Sequence, residues 1–204
     1  MADIRDETGS WPVRQSSTLA RGRIVTVRTD QVELPDGELM TREVVEHPGA
    51  VAILALDEED RVLMIRQYRH PVGAMLWEIP AGLRDVVGEP LLETARRELV
   101  EEAGYRAATW HVLADYASSP GITTERLRVY LARDLTVVPA AEREYVPEDE
   151  EAYLTTAWIP LGDAVRAILA GDLHNGPAVV GILSAYAASR DGFAGLRPPD
   201  APER

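Results

Sequence analysis

Apolar and polar positions change their spacing several times along this chain, and each change marks an element. Residues 15–47 read as β structure. Arg23–Leu34 is rich in Val, Ile and Thr, Pro35-Asp36-Gly37 supplies turn chemistry, and Glu38–His47 runs back. Ala50–Leu56 is a continuous apolar run, Asp57–Asp60 a turn, and Arg61–Tyr68 the returning arm of a second hairpin. Met75–Ala81 reads as a further short strand. Pro90–Ala103 is the clearest helix, with proline in its first turn, Leu91, Leu92, Ala95, Leu99 and Ala103 along one side, and Gly104 as a stop. Trp110–Ala117, Leu127–Asp134 and Tyr153–Ile159 read as strands, Leu161–Ala170 and Pro177–Arg190 as helices.

Strands on both sides of one central helix, with helices late, predict an α+β domain. The regular β-α alternation of a doubly wound fold is missing. The expected division is a β-rich segment over residues 1–47, a main domain over 48–192, and a flexible proline-rich tail over 193–204.

Composition narrows the function. The 204 residues carry a formal charge of −13, which disfavours a general nucleic-acid or membrane-surface binder. Cysteine is absent, so disulfide scaffolds, thiol nucleophiles and cysteine-held zinc are excluded. All 21 basic residues are arginine, which excludes Schiff-base chemistry and a Walker-type lysine. No apolar run approaches a membrane span, and the N-terminus lacks a signal peptide's apolar core. The expectation is a soluble cytoplasmic protein.

The chemistry concentrates in Gly82–Tyr105. On the helix Glu98 and Glu102 lie about 40° apart, with Glu101 about 60° to the other side of Glu98. Like charges so placed repel, so the helix alone gains nothing. A hard divalent cation reverses the sign, because carboxylate oxygens together with substrate phosphates suit Mg²⁺. Taken alone, the three glutamates fit a solvated acidic face better than a metal site. His47, His70, His111 and His174 are isolated and give zinc little support.

The wider string separates these readings. Glu89, Arg97-Glu98-Leu99, Glu101-Glu102 and Gly104-Tyr105, opened by Gly82, resemble the signature box of Nudix hydrolases, with one extra residue between Gly82 and Glu89. The resemblance implies an α/β/α sandwich around a mixed sheet. It also implies hydrolysis of a nucleoside diphosphate linked to another moiety, assisted by Mg²⁺ or Mn²⁺. Ala81, Glu98, Glu101 and Glu102 are then the expected metal ligands, with Glu101 also a catalytic helper. Arg97 is expected to pair with Glu89 and fix the loop-helix geometry.

Gln67-Tyr68-Arg69, then Trp77-Glu78-Ile79-Pro80-Ala81-Gly82, and Pro120 sixteen residues beyond Gly104, resemble the ADP-ribose pyrophosphatase branch. That branch implies cleavage of ADP-ribose to AMP and ribose 5-phosphate, and a homodimer built by the N-terminal segment. Arg69 resembles a phosphate-contacting arginine, and Arg42 one that reaches the partner subunit's site. Glu78, Gly121 and Glu125 complete the expected substrate contacts. The expected general base is Glu151, with Glu150 second. Rival readings are a Nudix hydrolase of another nucleotide sugar or dinucleotide, such as GDP-mannose or NADH, and a module that senses ADP-ribose without cleaving it.

Overall fold

The computed structural model describes residues 4–143 and 153–203, which divide into two compact units. One runs to Pro48 and takes in Ser119–Glu125; the other comprises Gly49–Ser118 and Arg126 onward.

The first unit is an antiparallel sheet in the order β1 (Val13–Arg21), β2 (Thr26–Glu33), β3 (Leu39–Glu46). The β2–β3 turn is the Pro35-Asp36-Gly37 sequence, and Gly37 takes the left-handed φ of 86° that disfavours a side chain. Every residue of β1 is exposed. Ser119–Glu125 joins this unit by backbone bonds to β3: Val45 N–H donates to Ile122 and Thr124 N–H to Val45, at 2.8 and 3.0 Å. Chain order alone does not place that loop beside β3.

The second unit holds a mixed four-stranded sheet, β7 (Ala81–Leu83), β4 (Ala50–Ala55), β9 (Arg126–Val137), β8 (Tyr105–Ala117), in which β4 and β9 are parallel. An antiparallel sheet β10 (Thr155–Pro160), β5 (Arg61–Arg69), β6 (Ala74–Glu78) completes the strands. β4 explains the layering. It is buried at every position because side chains alternate between two cores. Ala52 and Leu54, with Leu56 just past the strand, enter one with α2 (Leu161–Ala170) and α3 (Gly176–Ser189). Val51, Ile53 and Ala55 enter the other with Ala95 and Leu99 of α1 (Leu91–Ala103). Helices on both faces of a mixed sheet give the α/β/α sandwich. Among the described residues no helix is long and apolar enough to cross a membrane.

Two sequence expectations are corrected. Met75–Ala81 is not one strand: β6 ends at Glu78 and β7 begins at Ala81, in different sheets. Pro80, which has no N–H to donate to a ladder, stands at the break, and its carbonyl accepts from Ile53 N–H at 2.7 Å. The tail is not loose either. Arg197 pairs with Asp115 at 2.8 Å and bonds through its carbonyl to Val112 N–H, while Ala201 packs on the α1-side core. Arg128, 3% exposed, binds Asp115 through two nitrogens and donates to the Ala201 carbonyl at 2.6 Å. A buried guanidinium needs these acceptors, and the tail supplies one of them.

Candidate active site

α1 begins after Pro90 and ends on Gly104, whose left-handed φ of 72° lets its N–H return to the Val100 carbonyl at 2.9 Å. That frame fixes where Glu98, Glu101 and Glu102 leave the helix. Glu102 Oε2 accepts the Ala81 N–H at 2.8 Å. Glu98 lies against Gly82 so closely that a Cβ there would overlap its carboxylate. The backbone at Ala81-Gly82 is thus seated directly on two of the three glutamates. The longer loop that follows carries exposed residues at Asp85–Gly88, with Gly88 at a φ of 82°.

Arg97 gathers the other carboxylates. Its Nη1 donates to Glu98 Oε1 at 2.7 Å and to Glu101 Oε2 at 3.0 Å, and its Nη2 lies 3.3 Å from Glu89 Oε2. Thr94 Oγ1 donates to the same Glu89 oxygen at 2.8 Å. Burial opposes the charge on Arg97, but the Glu89 hydrogen bond and the charges of Glu98 and Glu101 outweigh it and raise its pKa. Glu89 is held below the usual carboxylate range, chiefly by its hydrogen bond from Arg97. The sequence paired Arg97 with Glu89; that it also bridges Glu98 and Glu101 needed the helix in place.

Arg69 and Glu78 meet across the β5–β6 hairpin. Arg69 Nε and Nη2 donate to Glu78 Oε1 and Oε2 at 2.9 and 2.7 Å. The Arg69 side chain is 42% exposed and that of Glu78 only 2%. Gln67, two residues along the same face, is buried, and its Oε1 has no hydrogen-bond partner among the described residues. Gln67 has no role of its own in the sequence pattern; its burial marks it.

The remaining expected residues belong to the first unit or lie outside the described chain. Arg42 is exposed on β3, in register with Asp30 of β2, and donates to the Thr41 carbonyl at 2.9 Å. Gly121 is exposed; Glu125, half-buried, lies 3.4 Å from His47 Nδ1, a contact the sequence did not indicate. Glu150 and Glu151 lie outside the described residues.

Comparison with known proteins gives the family. The NUDIX domain family matches residues 46–179, and the nucleoside diphosphate sugar hydrolase N-terminal domain matches residues 11–45. The chain belongs to the Nudix hydrolase family. It is 48% identical to an ADP-ribose pyrophosphatase of Mycobacterium tuberculosis over 91% of this chain and 87% of that protein. It is 36% identical to an ADP-ribose pyrophosphatase of Bacillus subtilis, over 76% of this chain and 80% of that one. A crystal structure of an ADP compounds hydrolase shares the fold, with a TM-score of 0.75, 23% identity, and coverage of 92% of this chain and 99% of that one.

Nudix hydrolases work with a divalent metal, and the donors here fit one. Three carboxylates, Glu89, Glu98 and Glu101, share a single guanidinium and Glu102 of the same helix adds a fourth, leaving net negative charge on hard oxygen donors. Among the described residues the carboxylates do not converge on one point, because Glu98 and Glu101 turn to Arg97 and Glu102 to the Ala81 N–H.

Proposed function

We propose that the protein hydrolyses the pyrophosphate bond of ADP-ribose, giving AMP and ribose 5-phosphate. The observation that carries the hydrolytic chemistry is the seating of Glu98 and Glu102 on the Ala81-Gly82 backbone. The substrate reading rests on the relatives of that name and on the Gln67-Tyr68-Arg69 and Pro120 strings.

A pyrophosphate diester carries two negative charges that repel an attacking water. Glu98, Glu101 and Glu102, with Ala81, would hold Mg²⁺, which supplies charge neutralisation and acidifies bound water. Arg69, whose side chain is 42% exposed, binds phosphate oxygens. Arg97 keeps the helix and the loop before it in one arrangement. The proton of the attacking water goes to Glu151, or to Glu150, as general base. Arg42, Gly121 and Glu125 are proposed as further substrate contacts, Arg42 toward a partner subunit.

The homodimer belongs to this proposal. It is supported by the exposure of β1, with Val13 and Leu19 51% and 59% exposed, and of the neighbouring Trp11.

The test is product analysis with ADP-ribose and Mg²⁺, beside GDP-mannose and NADH. AMP and ribose 5-phosphate should form fastest from ADP-ribose and stop with EDTA. Faster cleavage of another substrate would keep the hydrolase chemistry and discard ADP-ribose. Tight binding without cleavage would turn the reading to a sensor.

A further inference from the structure

We infer that Glu78 is a positioning residue that acts through Arg69, and not a substrate contact as the sequence pattern suggested. The inference rests on the proposed role of Arg69 at the substrate's phosphate. Glu78 is 1% exposed, and the two residues that follow it, Ile79 and Pro80, are buried as well. Both its oxygens are engaged by Arg69, through Nε and Nη2. A ligand meeting this pair from solvent therefore meets the guanidinium. An ionised carboxylate turned toward a pyrophosphate would also repel it, whereas one behind the arginine only orients it.

The arrangement has a chemical purpose. An arginine side chain has several rotatable bonds, and ordering it when the substrate arrives costs affinity. Two parallel N–H···O bonds donated to a buried carboxylate fix the plane of the guanidinium beforehand. Register explains how they meet. Glu78 stands opposite Ile65, and Ile65, Gln67 and Arg69 alternate onto one face, so the arginine reaches back across Gln67 to Glu78. Glu78 also lies three residues before Ala81, whose N–H holds Glu102. One short segment therefore orients the phosphate arginine and seats a candidate metal ligand.

The test is a double-mutant cycle on steady-state kinetics with ADP-ribose, using Arg69→Ala, Glu78→Gln and the pair. Arg69→Ala should raise KM roughly tenfold or more, the effect of losing a charged hydrogen bond. Glu78→Gln should raise KM in the same direction with kcat nearly kept, and should add nothing once Arg69 is alanine. Independent, multiplying losses would overturn the positioning role and make Glu78 a contact in its own right. A normal KM in Glu78→Gln, with Arg69→Ala impaired, would overturn it too. An unchanged KM in Arg69→Ala would instead remove Arg69 from the phosphate, and the inference with it. Should Glu78→Gln fail to fold, Arg69→Met and the Arg69→Met/Glu78→Met pair, which removes both charges together, carry the same comparison.

Discussion

Gly82 lies directly against the carboxylate of Glu98, with no room between them for a methyl group. The neighbour that must yield is the far end of a flexible side chain, so Gly82→Ala should fold while Glu98 is displaced. Misplacement of a reacting group by about 1 Å costs on the order of a hundredfold in rate. Turnover should fall by about that factor with the melting temperature nearly unchanged. A fully active variant would show that Glu98 does not need this seat.

Glu98→Gln keeps the shape of the side chain and removes its charge. We expect turnover to fall by orders of magnitude with the fold intact, because Glu98 sits at the edge of the core. Kinetics and circular dichroism on the same sample check both halves, and near-normal activity would remove Glu98 from the metal site.

Asp115 links the buried Arg128 to Arg197 of the tail. Burial alone would raise its pKa, but hydrogen bonds from the two guanidinium groups outweigh this and hold it below the ordinary carboxylate range. A depressed folded value means the pair's stability is present above the unfolded pKa, about 4, and is lost as pH falls through the lower folded value. Asp115→Asn should therefore flatten the acid limb of a stability–pH curve. It should also cost about 3–5 kcal/mol at neutral pH, because Arg128 stays buried without its charge partner.

Gln67 buries an acceptor that has no partner among the described residues. Gln67→Met, similar in volume and without that acceptor, should be stabilising by about 1–3 kcal/mol in urea unfolding. A loss of stability would mean that the amide has a partner in solution.

The proposed dimer is better tested by substitution than by truncation, because removing β3 would also strip Ser119–Glu125 of its backbone partners. Val13→Asp with Leu19→Glu, both at exposed positions of β1, should give monomers by light scattering without lowering thermal stability. A dimer that persists would move the interface away from this strand.

The sequence by itself determined the elements whose causes are local. Proline at the head of α1, glycine at its end and apolar residues at helical spacing act within a few residues, so Pro90–Ala103 could be read directly and carried the family's pattern of glutamates with it. The same holds for the apolar run of β4 and the Pro35–Gly37 turn. Only the tertiary structure decided which side chains meet. Pro80 splits an apparently continuous strand because β4 and β5 pull its two halves into different sheets. Ser119–Glu125 joins β3, and Asp115, Arg128 and Arg197 meet across as many as 82 residues of chain. Glu78 could pass for a substrate contact in the sequence, because spacing along one strand is silent about depth. Its burial behind Arg69 follows from the pairing of β5 with β6, and such pairing exists only once the chain has closed on itself.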